Sequence, residues 1–163
     1  MNLLLKLALL AAASGAMVGT YAATATQTFG VKLVVQESCS IGTTPTDVDF
    51  GTHTRQTTAV NTDAAGSLSI NCSSGTPYTI ALNGGLNATA STRQMLSGAN
   101  VAAYVLYQDS ARATPWGNGT TFGTTVSGTG TGAAVATPVY GRLTSLNFPA
   151  GTYSDTVTAT VTY

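Results

Sequence analysis

Tyr153-Ser-Asp-Thr-Val-Thr-Ala-Thr-Val-Thr-Tyr163 alternates along its whole length, with Tyr153, Val157, Ala159, Val161 and Tyr163 on one face and Ser154 and four threonines on the other. A period of two with one apolar face is the pattern of a half-buried β-strand. The sequence ends there, so no later strand is expected to cover this one. The core beside it is expected to be closed by a segment from elsewhere.

Working back from that strand, the same alternation recurs. Phe29, Val31, Leu33 and Val35 alternate with Gly30, Lys32, Val34 and Gln36, which predicts a first strand near the N-terminus. Leu68, Ile70 and Cys72 share a face in Gly66-Ser-Leu-Ser-Ile-Asn-Cys72, and Tyr78, Ile80 and Leu82 do so after the turn Ser73-Ser-Gly-Thr-Pro77. These two strands are expected to be neighbours. Arg93-Gln-Met-Leu96 reads as a short strand and Ala102-Ala-Tyr-Val-Leu-Tyr-Gln108 as a longer one, its aromatic content favouring strand over a helical turn. Pro138 to Leu146 predicts a further strand, Pro149-Ala-Gly151 a turn, and the tract Gly128-Thr-Gly-Thr-Gly132 a hairpin tip. No segment after the first 22 residues has helical periodicity over three turns. The expected class is all-β, a sandwich.

Residues 1–22 read as an export signal. Lys6 supplies the charge, Leu3 to Val18 the apolar stretch, and Thr20-Tyr-Ala22 or Ala23-Thr-Ala25 small residues for cleavage. The uncharged stretch from Leu7 to Thr20 is short of the roughly 20 residues of a membrane span. Beyond the signal, an N-terminal segment, 23–37, and one β-domain, 38–163, are expected.

Charged residues make up 7% of the 163-residue chain, against roughly 25% in ordinary soluble domains. That density excludes a nucleic-acid footprint. In the mature part, Lys32 and four arginines face six acids, a net charge of −1, so electrostatic steering of a charged partner is not expected. The two cysteines, Cys39 and Cys72, predict a disulfide in an oxidising compartment.

Catalytic candidates are sparse. The single histidine, His53, lies in a Thr-rich polar stretch with no Gly-x-Ser-x-Gly elbow, and reads as a loop residue. Asp47 and Asp49 share a strand face but read as turn-flanking acids. Two cysteines and one histidine are too few for a metal centre. Trp116 beside Gly117 has two readings, a packed tryptophan or a sugar-stacking platform. The triplets at Asn71, Asn87 and Asn118 match the glycosylation pattern, which a Thr-rich chain produces by chance. No enzyme, cofactor or metal site is expected.

A sandwich short of one strand leaves an apolar groove and an open edge, which strand addition from another chain closes. Four inserted side chains at about 1.5–3 kcal/mol each give roughly 6–12 kcal/mol of gross burial. Two arrangements are open on the residues alone. The N-terminal strand either folds into its own sheet or is donated to another chain.

A series of short motifs resembles the spore coat U domain family and its archaic, Csu-type chaperone–usher pilins. They are Cys39, Asp49-Phe50-Gly51, Gly66 with Leu68 to Cys72, Tyr78, Leu82 and Gly85, Arg93 with Met95, and Tyr104-Val-Leu-Tyr107. Trp116-Gly117, Tyr140-Gly141 and Ala150-Gly-x-Tyr153-x-Asp155-x-Val157 continue the series. The resemblance implies an incomplete immunoglobulin-like β-sandwich completed by a donor strand from another subunit. It also implies a periplasmic chaperone, an outer-membrane usher and neighbouring pilin subunits as partners, in a cell-surface pilus serving attachment and biofilm formation. Phe29, Val31, Leu33 and Val35 would then be the donor-strand plugs, and Val157, Ala159, Val161 and Tyr163 would line the acceptor groove. The rival expectations are a secreted coat or matrix protein of the same fold and a monomeric carbohydrate-binding module built on Trp116 and the Gly-rich loops.

Overall fold

The structure, a computed structural model, describes residues 19–163, so the expected export signal lies outside the described residues except for 19–22. Val35–Tyr163 forms one compact unit, to which residues 19–34 do not belong. Eight strands make up its regular structure, and no helix occurs among the described residues.

The strands are β1 (Cys39–Ile41), β2 (Thr62–Cys72), β3 (Pro77–Leu82), β4 (Arg93–Ser97), β5 (Asn100–Tyr107), β6 (Val126–Thr129), β7 (Ala134–Leu143) and β8 (Ala159–Thr162). They form a five-stranded sheet, β1-β2-β7-β5-β4, and a three-stranded sheet, β6-β3-β8, with every pairing antiparallel. Ile70, Cys72, Leu106, Val139 and Leu143 of the larger sheet join Ile80 and Leu82 of the smaller one in a single buried cluster with Tyr104 and Trp116. The all-β sandwich expected from the alternation is the fold observed.

Several boundaries differ from expectation, each for a physical reason. β2 and β3 are not neighbours in a sheet, because β2 pairs with β1 and β7, whereas β3 pairs with β6 and β8. Each has one apolar face, and such strands bury it as well across a core as side by side. Gly75, at φ 85°, turns the chain from one sheet to the other. The Gly-rich tract is not a hairpin tip either, since Gly128 and Thr129 belong to β6 and the connection to β7 changes sheets. It is pinned to the β2–β3 turn by Gly130 N–H to Thr76 O (2.8 Å), Gly75 N–H to Gly130 O (2.9 Å) and Gly132 N–H to Cys72 O (3.0 Å).

β7 begins at Ala134 and runs through Pro138. Ser67, opposite Pro138, exchanges both its backbone bonds with Thr46 (2.9 and 3.0 Å), so the Ser67–Pro138 pair shares none. The proline nitrogen therefore points to the far side of β7, where β5 pairs only with residues 140–142. A missing N–H there breaks no ladder.

Residues 29–36 carry the strand alternation but form no strand, and Phe29, Val31, Leu33 and Val35 are exposed. A strand exists only where a second backbone supplies its partners, and alternation alone does not provide one.

Cys39 and Cys72 are disulfide-bonded across the β1–β2 pair, where they stand directly opposite each other. Mass spectrometry of the non-reduced mature protein should find both thiols blocked against alkylation, and free thiols in folded material would contradict the linkage.

Candidate functional site

The alternation read in the last strand continues in the burial of residues 153–162. Tyr153, Asp155, Val157, Ala159 and Val161 are half-buried, and each even-numbered residue between them is exposed. Val157, Ala159 and Val161 pack against the core cluster, whereas Tyr163 is 59% exposed and lies apart from them.

The backbone of this segment is satisfied on one side. Ser154 exchanges bonds with Leu96 (3.0 and 3.1 Å), Thr156 O accepts from Leu86 N–H (3.1 Å) and Thr158 O from Asn83 N–H (3.0 Å). Thr158 N–H donates to the Asn83 side-chain oxygen (2.8 Å). β8 then continues along β3, with Thr160 opposite Ala81 and Thr162 opposite Thr79. The even residues thus face β3 and β4, and by the period of two the N–H and C=O groups of Val157, Ala159 and Val161 point the other way. No strand pairs with that side among the described residues, because β8 is an edge strand of its sheet. The inward side chains and the open backbone edge belong to the same three residues.

On the larger sheet, β1 is one edge and β4 the other. Ser73 N–H bonds Ser38 O (2.9 Å) and Gly42 N–H bonds Ser69 O (2.7 Å), so even residues turn to β2 and the Cys39 and Ile41 backbones face outward. β1 and β8 are thus two of the four edge strands, each with backbone groups turned outward. A groove of about 650 Å³ opens between residues 48–55 and 146–153, lined by Val48, Phe50, Met95, Leu143, Leu146 and Phe148. Val48 and Phe50 reach this position because Gly141 lacks a side chain. A Cβ there would stand 2.9 Å from the Phe50 ring. Asp49 caps the following turn by accepting from Gly51 N–H (2.8 Å), as a turn-flanking acid does. The exposed His53 places Nε2 2.6 Å from Phe50 O, as expected of a loop histidine.

The polar residue on the inward face, Asp155, anchors the segment. It accepts from Leu86 N–H (3.0 Å), Asn87 N–H (3.2 Å), the Asn87 side-chain amide (3.0 Å) and the Tyr104 hydroxyl (2.6 Å). Burial, and next the bond to Asp155, push the Tyr104 phenol far above its ordinary pKa, so it remains a donor. Gly85, at φ 87°, passes so close that a Cβ would collide with this carboxylate. Beside it lies Arg93, whose guanidinium donates to the carbonyls of Asn83 (2.9 and 2.7 Å), Trp116 (2.9 Å) and Leu82 (3.1 Å), over the Phe122 ring. Arg93 thus ties together the ends of β3 and β4 and the loop after β5.

Sequence reasoning missed the roles of Asp155, Leu146 and Phe148. Asp155 carried two signals, its odd position in an alternating run and its place in the motif Ala150-Gly-x-Tyr153-x-Asp155-x-Val157. Trp116 is fully buried, with its indole N–H donating to Ile80 O (3.0 Å), so it is a packed tryptophan and offers no stacking platform for a sugar. The Asn87 side chain is engaged with Asp155 and Ser154 and the Asn118 side chain in its own turn, accepting from Thr121 N–H at 2.6 Å. No cluster of His, Cys, Asp and Glu among the described residues is suited to a metal ion.

An all-β, two-sheet sandwich with an open inward-facing edge strand is the class that this geometry defines. The Spore Coat Protein U domain matches residues 25–160, and the chain belongs to that family. It is 35% identical to Protein U of Myxococcus xanthus over 157 residues, 87% of each protein. It also resembles a chain in the crystal structure of the CsuC-CsuE chaperone-tip adhesion subunit pre-assembly complex from archaic chaperone-usher Csu pili of Acinetobacter baumannii. The TM-score is 0.57 and the identity 29%, over 79% of this chain and 40% of that chain.

Proposed function

We propose that this chain is a structural subunit of a surface pilus, built by donor-strand exchange along the chaperone–usher route. The open edge of Val157, Ala159 and Val161 carries the reading, since a strand laid there gains backbone bonds and apolar burial together. The donor is residues 23–37 of a neighbouring subunit, with Phe29, Val31, Leu33 and Val35 as plugs; all four are exposed here. Tyr163, exposed at the end of the edge, closes over the donor when it is seated. A periplasmic chaperone holds the groove before assembly, and an outer-membrane usher is where the exchange takes place. Residues 1–22 direct export, and the finished fibre supports attachment and biofilm formation.

The family's description as a Spore Coat Protein U domain, matched over residues 25–160, favours a second reading, a secreted coat or matrix protein of the same fold. One rearrangement separates them. Moving residues 29–36 behind Tyr163 through a short flexible linker should give a stable monomer, because the donor then fills its own groove at high effective concentration. The unrearranged mature chain should polymerise, or require a chaperone to stay soluble. A mature chain that remains folded and monomeric alone would reject the pilus reading in favour of the coat protein.

A further inference from the structure

We propose that the Cys39–Cys72 disulfide is the point at which tension along the fibre enters the folded domain, so that it serves as the covalent link that transmits that tension. This rests on the donor-strand reading above. If Val35 is the last plug seated in a neighbour, only Gln36 and Glu37 separate it from Ser38, the first residue hydrogen-bonded to its own domain. Ser38 N–H donates to Ser73 Oγ (3.1 Å) and Ser38 O accepts from Ser73 N–H (2.9 Å). A tether of three peptide steps spans at most about 10 Å, so tension reaches the start of β1 with almost no slack.

β1 is poorly built to bear it. It has three residues, lies at a sheet edge, and is followed by isolated bonds, the Gly42–Ser69 bond, the Thr46–Ser67 pair, Gln56 N–H to Leu146 O and Arg55 to Asn147, with no further strand before β2. A force applied at one end of such a strand breaks its bonds one after another, and each is individually weak. The disulfide changes the route. It joins the first residue of β1 to Cys72, the last residue of β2, which is buried in the core. β2 is paired with β7 from Thr62↔Leu143 to Asn71↔Ala134. Tension therefore passes in one covalent step from the edge to the central strands, and residues 40–71 are bypassed.

Polymers of the mature, full-length chain, pulled by single-molecule force spectroscopy before and after reduction with a phosphine, test this. Oxidised polymers should rupture without a preceding extension step. Reduced polymers should extend first, in steps of up to about 12 nm per subunit, the length of the 33 residues that the bond spans. Polymers of the Cys39→Ser, Cys72→Ser double variant should behave as the reduced ones do. If that variant does not assemble, the reduced wild type decides. Oxidised polymers that already show these steps, reduced polymers that rupture without them, or polymers that dissolve on reduction before any load would each overturn the inference. Failure of the donor-strand reading looks different, because the oxidised chain would then yield no polymers, and the inference falls with it.

Discussion

Leu33→Asp should abolish polymer formation by the purified mature chain, while Lys32→Thr should leave it unchanged. Leu33 is 83% exposed and lies outside the compact unit Val35–Tyr163, so the substitution leaves the fold of the isolated subunit intact. Its whole effect falls on the assembled state. There, a seated leucine contributes about 1.5–3 kcal/mol by burial, and an unpaired carboxylate in its place costs several kcal/mol more in desolvation. A combined loss of about 5 kcal/mol weakens the joint by more than a thousandfold. Lys32 is one residue away and therefore on the opposite face of the donor, where it stays in water. Size-exclusion profiles of the three proteins read the result directly. The Leu33→Asp subunit retains its own groove, so it should still accept a donor and should end chain growth when mixed with wild type. Polymerisation of Leu33→Asp at the wild-type level would show that residues 29–35 are not the donor.

The parts of the fold legible in the sequence are those set by local periodicity. The half-buried face of residues 153–161 follows from its alternation, and the strand identity of residues 102–107 from alternation with aromatic content. Pairing is less legible, because alternation tells a strand which face is apolar and not which backbone lies beside it. That is why β2 and β3, adjacent in sequence and alike in pattern, read as side by side yet meet across the core. The same limit applies to residues 29–36, whose pattern is that of a strand although no second backbone pairs with it among the described residues. The role of Asp155, as distinct from its place in a motif, is hidden for another reason. Its partners Leu86, Asn87 and Tyr104 are remote in sequence, and nothing near Asp155 announces that a carboxylate on an apolar face will be satisfied.

Arg93→Met should be the most damaging single change within the domain itself. Arg93 is 2% exposed, and its guanidinium meets three backbone carbonyls, those of Leu82, Asn83 and Trp116, with no carboxylate in direct contact. Burial lowers its pKa, an effect that Tyr104 and Asp155 partly offset. A guanidinium remains charged under any ordinary condition, so the carbonyls answer a permanent cation. Methionine fills much of the same space but donates nothing, leaving the carbonyl groups buried without partners at about 1–3 kcal/mol each where no water reaches them. Relaxation recovers part of this, and a net loss of about 3–5 kcal/mol is expected, a large share of the roughly 5–15 kcal/mol that holds a typical domain together. The self-complemented monomer suits the measurement, since its denaturant midpoint should fall with the slope unchanged. Arg93→Lys should recover only part of the loss, because one ammonium lacks the planar fork that spans all three carbonyls. Because Asn83, whose carbonyl Arg93 holds, is also the residue that fixes Thr158, the variant should accept a separate donor peptide less tightly than wild type. A variant with wild-type stability would mean that water, and not Arg93, satisfies the carbonyls of Leu82, Asn83 and Trp116.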